Sequence, residues 1–149
     1  MKMRRIFLAM LAVSTFALTV SSNSSNTVNA SIIRETPAAK CRIPPFKEAY
    51  AGAKAVFTGT VTDVVQSERG KVFEFQVEKY WKGNGSKKIS VMVYESSRFQ
   101  AFYQNGKSYL VFASADDGGG LRDGRCSRSN DIADAASDLK ALGKGKRPR

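Results

Sequence analysis

The amino-acid sequence predicts a mainly β protein, a small five-stranded barrel with a short helix before the strands and another helix after them. Three observations support this prediction. Apolar and polar residues alternate in several short segments, turn residues rich in glycine separate these segments, and helical spacing occurs on either side of them. The chain has 149 residues, 42% hydrophobic and 25% charged, which suits one domain of ordinary composition.

Apolar residues at helical spacing flank the predicted strands. Pro44 and Pro45 suit a helix start, because the first N–H groups of a helix have no partner within it. The residues that follow predict a short helix over residues 46–53. A closing helix is predicted after Ser129 and Asn130, whose side chains are natural caps. Its apolar stripe consists of Ile132, Ala135, Ala136, Leu139 and Leu142.

Five segments between the helices are predicted to be strands. They are residues 54–66, residues 71–81, the stretch of Ile89, Val91 and Val93, residues 107–114 and residues 121–125. The first should turn Phe57, Val61 and Val65 to one face, and Gly59 in its middle predicts a bend or bulge. The fourth is apolar throughout, as in a strand buried on both faces. Five short strands, one of them kinked, match a Greek-key barrel of the OB type.

Residues 1–30 are predicted to be a secretory signal peptide. A basic start precedes a fifteen-residue apolar run over residues 6–20, and residues 28–30 fit the small-residue cleavage rule. A membrane anchor is the competing interpretation, but this run is shorter than the ~20 residues needed to span a bilayer. We therefore expect a secreted protein that has no membrane span after cleavage.

The mature chain is predicted to have three parts. Residues 31–40 form a flexible N-terminal segment, residues 41–143 form the barrel domain, and residues 144–149 form a disordered basic tail without apolar residues. The tail contributes four cations to a whole-chain net charge of +11. An anionic cell-surface polymer is its expected partner, and a tail that only aids solubility is the open alternative. No nucleic acid partner is expected.

The composition excludes several classes of active site. The chain has no histidine, which excludes Ser-His-Asp and Cys-His catalysis and most zinc sites. Its two cysteines, Cys41 and Cys126, form no Cys-x-x-Cys motif, and in an exported protein they are expected to pair, with two free thiols as the alternative. No Ser, Lys or carboxylate stands at a recognisable catalytic spacing. We therefore expect no enzyme, no cofactor and no metal site.

Two weaker features each have two interpretations. Asp116 and Asp117 could belong to a calcium loop, but the glycines that follow favour a hairpin turn. Tyr80, Trp81 and Lys82 could stack a base or a sugar, whereas burial at the end of the barrel is the simpler interpretation for Trp81.

Five segments carry a family resemblance through their order and spacing. They are Cys41-Arg-Ile-Pro44-Pro45, AVFTGTV at 55–61, FEFQVEKYWKG at 73–83, KSYLVFA at 107–113, and Cys126-Ser127 before the final helix. Over about residues 39–142 the chain resembles the netrin-like domain, and more narrowly the inhibitory domain of the tissue inhibitors of metalloproteinases and its bacterial secreted relatives. The resemblance implies a five-stranded OB barrel with flanking helices.

The resemblance also implies a function, the inhibition of a zinc metalloprotease. In that family an N-terminal cysteine places its α-amine and carbonyl on the catalytic zinc and displaces the water that the protease needs. The family opening is Cys-x-Cys-x-Pro-Pro, and the resemblance puts Cys41 at the second cysteine, with one more residue before the prolines here, and Cys126 as its partner. It puts Ala39 at the first cysteine, whose partner falls where this chain has Arg98. Both members of that second bridge are therefore absent together.

The implied inhibitory ridge is formed by two short stretches. It comprises Ala39, Lys40, Cys41, Arg42, Ile43 and Pro44, with Glu95, Ser96, Ser97 and Arg98 beside them. A non-inhibitory binding module of the cell envelope or extracellular space, acting through the barrel and the basic tail, is the alternative function.

Overall fold

Five strands close into a barrel in the part of the chain that the computed structural model describes, residues 41–95 and 101–149. The elements are α1 (Phe46–Gly52), β1 (Ala55–Ser67), β2 (Gly70–Lys82), β3 (Lys88–Tyr94), β4 (Ser108–Ala115), β5 (Leu121–Asp123), β6 (Asn130–Asp131) and α2 (Ala136–Leu142). The hydrogen-bonded order is β1-β2-β3-β5-β4, and antiparallel pairing of β1 with β4 completes the circle. The predicted OB-type barrel with a helix at each end is confirmed. The predicted signal peptide and the segment 31–40 lie outside the described residues.

β1 is kinked at Gly59, as the sequence predicts. Its pairing with β2 shifts register between Thr58 and Gly59. A Cβ at Gly59 would lie 2.7 Å from the carbonyl oxygen of Gln76, so glycine is required for this close approach. A second shift follows between Val61 and Asp63. Beyond this shift residues 62–66 are exposed on both faces of the strand, so Val65 is 50% exposed although Phe57 and Val61 are buried.

β4 separates two apolar clusters. Tyr109, Val111 and Ala113 belong to the barrel interior, whereas Leu110 and Phe112 pack with apolar residues of α1 and α2 on the outer side. All five side chains are buried. The prediction of a strand buried on both faces is confirmed, and it explains why this segment shows no alternation.

The closing helix begins later than the sequence predicts. The hydroxyl of Ser129 accepts a hydrogen bond from the N–H of Phe112 at 2.9 Å, and the side chain of Asn130 accepts one from Asp131 at 2.9 Å. These two side chains therefore support β6 beside β4 instead of capping a helix. α2 starts at Ala136 and has no side-chain cap.

Residues 144–149 lie along β2, which corrects the prediction of a disordered tail. Tyr80 and Lys146 exchange both backbone hydrogen bonds, each 2.9 Å long. The N–H of Arg149 donates to the carbonyl of Gly85 at 2.9 Å. The tail is therefore bonded to the edge of β2 at Lys146 and to the turn after β2 at Arg149.

This edge is available because β3 pairs with β2 only as far as Gln76. The backbone of β2 beyond that point needs other partners, and the tail backbone supplies them. The indole N–H of Trp81 donates to the carbonyl of Gly143 at 3.0 Å, and Gly145 packs against the same ring. A polar composition did not reveal this contact because backbone pairing requires no apolar side chain.

Candidate functional site

A disulfide anchors the described part of the predicted ridge to the barrel. Cys41 and Cys126 are bonded with an S–S distance of 2.04 Å and a Cα–Cα distance of 5.3 Å. Cys126 lies three residues after the end of β5, so the bond fixes Cys41 beside that end of the strand. The predicted disulfide is confirmed. Such a bond suggests an oxidising, extracytoplasmic environment.

Arg128 holds the other end of this segment. Its guanidinium donates to both carboxylate oxygens of Asp138 in α2, at 2.7 and 2.8 Å, and to the carbonyl of Pro44 at 3.0 Å. The side chains of the ion pair are 25% and 12% exposed, and a planar guanidinium suits this forked geometry. Sequence reasoning missed both residues, because nothing in their spacing indicates that they meet.

The two residues between these anchors are exposed. Ile43 is 59% exposed, the largest value among the exposed large hydrophobic side chains of the described residues. Arg42 is also exposed. Pro45, which follows the segment, has φ −57° and ψ 154°, the extended polyproline II conformation. Ile43 and Pro44 each precede a proline, which favours an extended backbone at both residues. The segment fixed at Cys41 and Pro44 therefore presents an apolar and a cationic side chain to solvent.

Sheet topology brings Glu95 to the same end of the barrel. β3 and β5 are parallel neighbours, and their last paired residues are Val93 and Asp123. Both strands therefore end on the same side of the barrel. The chain continues from β3 to Glu95 and from β5 to Cys126. Ala39, Lys40, Ser96, Ser97 and Arg98 lie outside the described residues.

The carboxylate of Glu95 is held by two donors. The N–H of Ala101 and the ammonium of Lys71 each donate to its Oε1 at 3.0 Å. The hydrogen bond from Ala101, followed by that from Lys71, lowers the pKa of Glu95. These contacts fix the first residue of the predicted second stretch against both β2 and Ala101.

A buried polar pair fixes the end of β5. The hydroxyl of Tyr103 donates to Oδ2 of Asp123, and the N–H of Gly124 donates to its Oδ1 at 2.8 Å. Both side chains are buried. Burial raises the pKa of Asp123, although its hydrogen bonds act in the opposite direction, and burial raises that of Tyr103 well above its usual value. The strand that leads to Cys126 is thus held from inside the barrel. The sequence indicated Asp123 only as part of a short strand.

A cleft of about 420 Å³ adjoins the anchored segment. Its lining includes Pro44, Glu48, Phe112, Arg122, Ser127 and Arg128. In the described residues no cluster of three or more His, Cys, Asp or Glu side chains could hold a metal ion. None of the helices in residues 41–95 and 101–149 has the length and apolar character needed to span a bilayer.

The aromatic pair at the end of β2 is used within the fold. Trp81 packs against the outer cluster and is contacted by Gly145, and the ring of Tyr80 lies against Gly85. The ammonium of Lys82 donates to the carbonyls of Tyr50 and Ala51 at the end of α1, at 2.8 and 3.0 Å. The simpler interpretation of Trp81 as a residue that packs at the end of the barrel is therefore favoured.

Asp116 lies in a turn. Its N–H donates to the carbonyl of Gly120, and its carbonyl accepts from the N–H of Gly119, each at 2.9 Å. The predicted hairpin turn between β4 and β5 is confirmed.

Comparison with protein-family models gives no match, and a search of curated proteins gives none.

Proposed function

We propose that this protein is a secreted inhibitor of a zinc metallopeptidase, and that residues 41–44 enter the cleft of the target enzyme. The observation that supports this most directly is the extended segment fixed at Cys41 and Pro44, with Arg42 and Ile43 exposed between the anchors. Peptidases bind their substrates as extended chains, and this segment offers that shape on a rigid support.

Rigidity matters because binding a flexible segment costs ordering free energy. Each immobilised, rotamer-rich side chain costs about 0.5–1.5 kcal/mol, in addition to the backbone. The disulfide to Cys126 and the hydrogen bond from Arg128 fix the backbone before any partner binds. Ile43 then supplies apolar area for a side-chain pocket, as anchor residues do at the centre of tight interfaces.

The chemistry at the target zinc depends on a residue before the described segment. Arg42 is a cation and cannot act as a metal ligand. Chelation of the catalytic zinc, as in the tissue inhibitors of metalloproteinases that the chain resembles, requires a free α-amine at Ala39. That family has its N-terminal cysteine at this position. A chain that starts at Ser31 carries its amine elsewhere, and it would inhibit by blocking the cleft.

Two forms of the protein distinguish these modes. One starts at Ser31, after the predicted signal peptide, and the other starts at Ala39. Both are assayed against a panel of zinc endopeptidases. Inhibition by the Ala39 form alone supports chelation and a second processing step, whereas inhibition by both forms supports a steric block. If neither form inhibits any member, the proposal fails and a non-inhibitory binding module becomes the better interpretation.

A pair of matched variants tests whether the anchored segment is the contact. Ile43 is 59% exposed and Val65, at the end of β1, is 50% exposed. We expect Ile43→Asp to weaken inhibition about tenfold or more, as for an anchor residue, and Val65→Asp to leave it unchanged. Equal losses in the two variants would place the contact elsewhere.

A further inference from the structure

The segment that pairs with the edge of β2 builds a dense cationic surface. The backbone bonds of Tyr80 with Lys146, and of Gly85 with Arg149, bring residues 144–149 beside the end of β2 and the turn that follows it. Seven exposed cations belong to this tail surface: Lys79, Lys87, Lys88, Lys144, Lys146, Arg147 and Arg149.

Within the described residues none of these seven charges is paired with an acidic side chain. The stretches that form the tail surface, residues 79–88 and 143–149, contain no Asp and no Glu. Neither of the two ion pairs formed in residues 41–95 and 101–149 includes one of the seven side chains. A fixed cluster of one sign creates a potential that attracts anions of opposite charge.

We propose that the tail surface binds a linear polyanion outside the cytoplasm. The tail backbone is held at two points, by the bridge of Lys146 with Tyr80 and by the hydrogen bond from Arg149 to Gly85. Its four exposed cations, Lys144, Lys146, Arg147 and Arg149, are therefore spread along a fixed backbone. Such a spread of cations fits a flexible chain of phosphate or carboxylate groups better than it fits a single small anion.

The same geometry disfavours a nucleic acid partner. Proteins that bind single-stranded nucleic acid combine a cationic groove with exposed aromatic rings on which bases stack. Here Tyr80 and Trp81, which lie beside the tail, are half-buried, and Gly85 and Gly145 lie against their rings. The fold therefore uses these two rings in its own packing, and the surface offers mainly charge. The inference is independent of the inhibitory segment, since it involves none of residues 41–44.

The test measures the binding of labelled polyphosphate to the full secreted protein as salt is raised from about 50 to about 200 mM. Displacement of counterions from a polyanion gives a logarithmic slope of roughly −0.7 to −0.9 per neutralised charge, so seven contacts predict a slope of about −5. The variant Lys87→Gln/Lys144→Gln/Arg147→Gln should reduce the slope to about −3 and weaken binding at the lower salt concentration.

A matched control removes the same charges elsewhere. Lys47→Gln/Arg69→Gln/Lys107→Gln replaces two lysines and one arginine that are exposed and lie outside the tail surface. This control should keep the slope of the unmodified protein. Equal weakening in the two triple variants would overturn the proposal, because binding would then follow net charge alone. Absence of polyphosphate and polyglutamate binding at about 50 mM salt would also overturn it.

Two further probes identify the source of the negative charge. Polyglutamate and polyphosphate of equal charge number distinguish a carboxylate polymer from a phosphate polymer, and binding of either supports the proposal. Single-stranded DNA of the same charge number tests the other class of partner. DNA binding at least tenfold tighter than that of both polymers would overturn the proposal in favour of base recognition.

Discussion

Arg128 and Asp138 form a forked ion pair that connects α1 with α2, since the same guanidinium also bonds to Pro44, two residues before α1. The pair thereby links the position of the exposed segment at Ile43 to the position of α2. Because Arg128 contacts both α2 and Pro44, its loss should lower the stability of the protein and also weaken the proposed inhibition.

We expect Arg128→Met to destabilise the protein by about 2–3 kcal/mol, because the largely buried carboxylate of Asp138 then has no cation to pair with. Urea unfolding measures the loss. Lys71→Met at the more exposed pair with Glu95 is the control and should cost much less, since surface ion pairs contribute little. Similar losses in the two variants would contradict a special role for Arg128.

The disulfide should contribute a large share of the stability. It joins residues 85 positions apart, and loss of such a bridge costs about 2–5 kcal/mol because the unfolded chain becomes less restricted. Cys126→Ala is compared with the unmodified protein by urea unfolding, and non-reducing peptide mapping checks the linkage. Reduced, unmodified protein should match the variant. Two alkylatable thiols in the native secreted protein would contradict the assignment.

Removal of residues 144–149 should expose the single tryptophan of the chain. Three backbone hydrogen bonds to β2 and the turn after it are lost, and we expect the free energy of unfolding to fall by about 1–3 kcal/mol. The emission of Trp81 should shift to longer wavelength, because Gly145 no longer lies against its ring. Unchanged emission and stability would show that the tail does not pair with β2 in solution.

The packing of the tail has its own matched pair of variants. A Cβ at Gly145 would lie 2.9 Å from the Trp81 ring, whereas a Cβ at Gly124 would meet nothing within 4 Å. Gly145→Ala should therefore shift the Trp81 emission, and Gly124→Ala should not.

Buried Asp123 should make part of the stability depend on pH. Burial raises its folded-state pKa above its ordinary value of 3.8, so the folded protein binds a proton more readily than the unfolded chain. Its contribution is therefore most favourable below 3.8 and is lost as pH rises through the folded pKa. Asp123→Asn should remove this slope when urea unfolding is repeated between about pH 3 and pH 7.

Asp116 supplies a control of opposite sign. The hydroxyl of Tyr94 donates to its carboxylate at 2.7 Å and lowers its pKa. Its contribution to stability is present above 3.8 and is lost as pH falls through the folded pKa. Asp116→Asn should therefore reduce the loss of unfolding free energy as the pH falls towards the acid end of the range. If the two variants change the slope in the same direction, the assignment of Asp123 is wrong.

The sequence predicted most of the strands because their side chains alternate locally. It also predicted the kink at Gly59, since a glycine inside a strand commonly marks a bulge, a bend or a close approach of another backbone. It did not predict the register shift between Val61 and Asp63, nor that both faces of β1 are exposed beyond it, including Val65. Side-chain periodicity within one strand contains no information on that register.

The missed contacts share one cause, which is that they depend on groups distant in sequence. Arg128 meets Pro44 across 84 positions, and Tyr103 meets Asp123 across 20. The pairing of the tail with β2 was not predicted for a related reason. Lys146 bonds to the backbone of Tyr80, and a backbone hydrogen bond of this kind leaves no signal in the side-chain pattern. For the segment 41–44, the disulfide was predicted from the sequence, whereas the Arg128–Asp138 ion pair beside Pro44 was not.

Closure of the barrel has a kinetic consequence. The pairing of β1 with β4, from Ala55 with Ala113 to Thr60 with Ser108, joins residues roughly fifty positions apart, whereas β1 and β2 are joined by a tight turn. We expect the hairpin to form early and ring closure to limit the folding rate. Until closure occurs, one edge of β1 remains open to strands of other chains. Refolding yield should therefore fall as protein concentration rises, and a slow folding phase should accompany the loss.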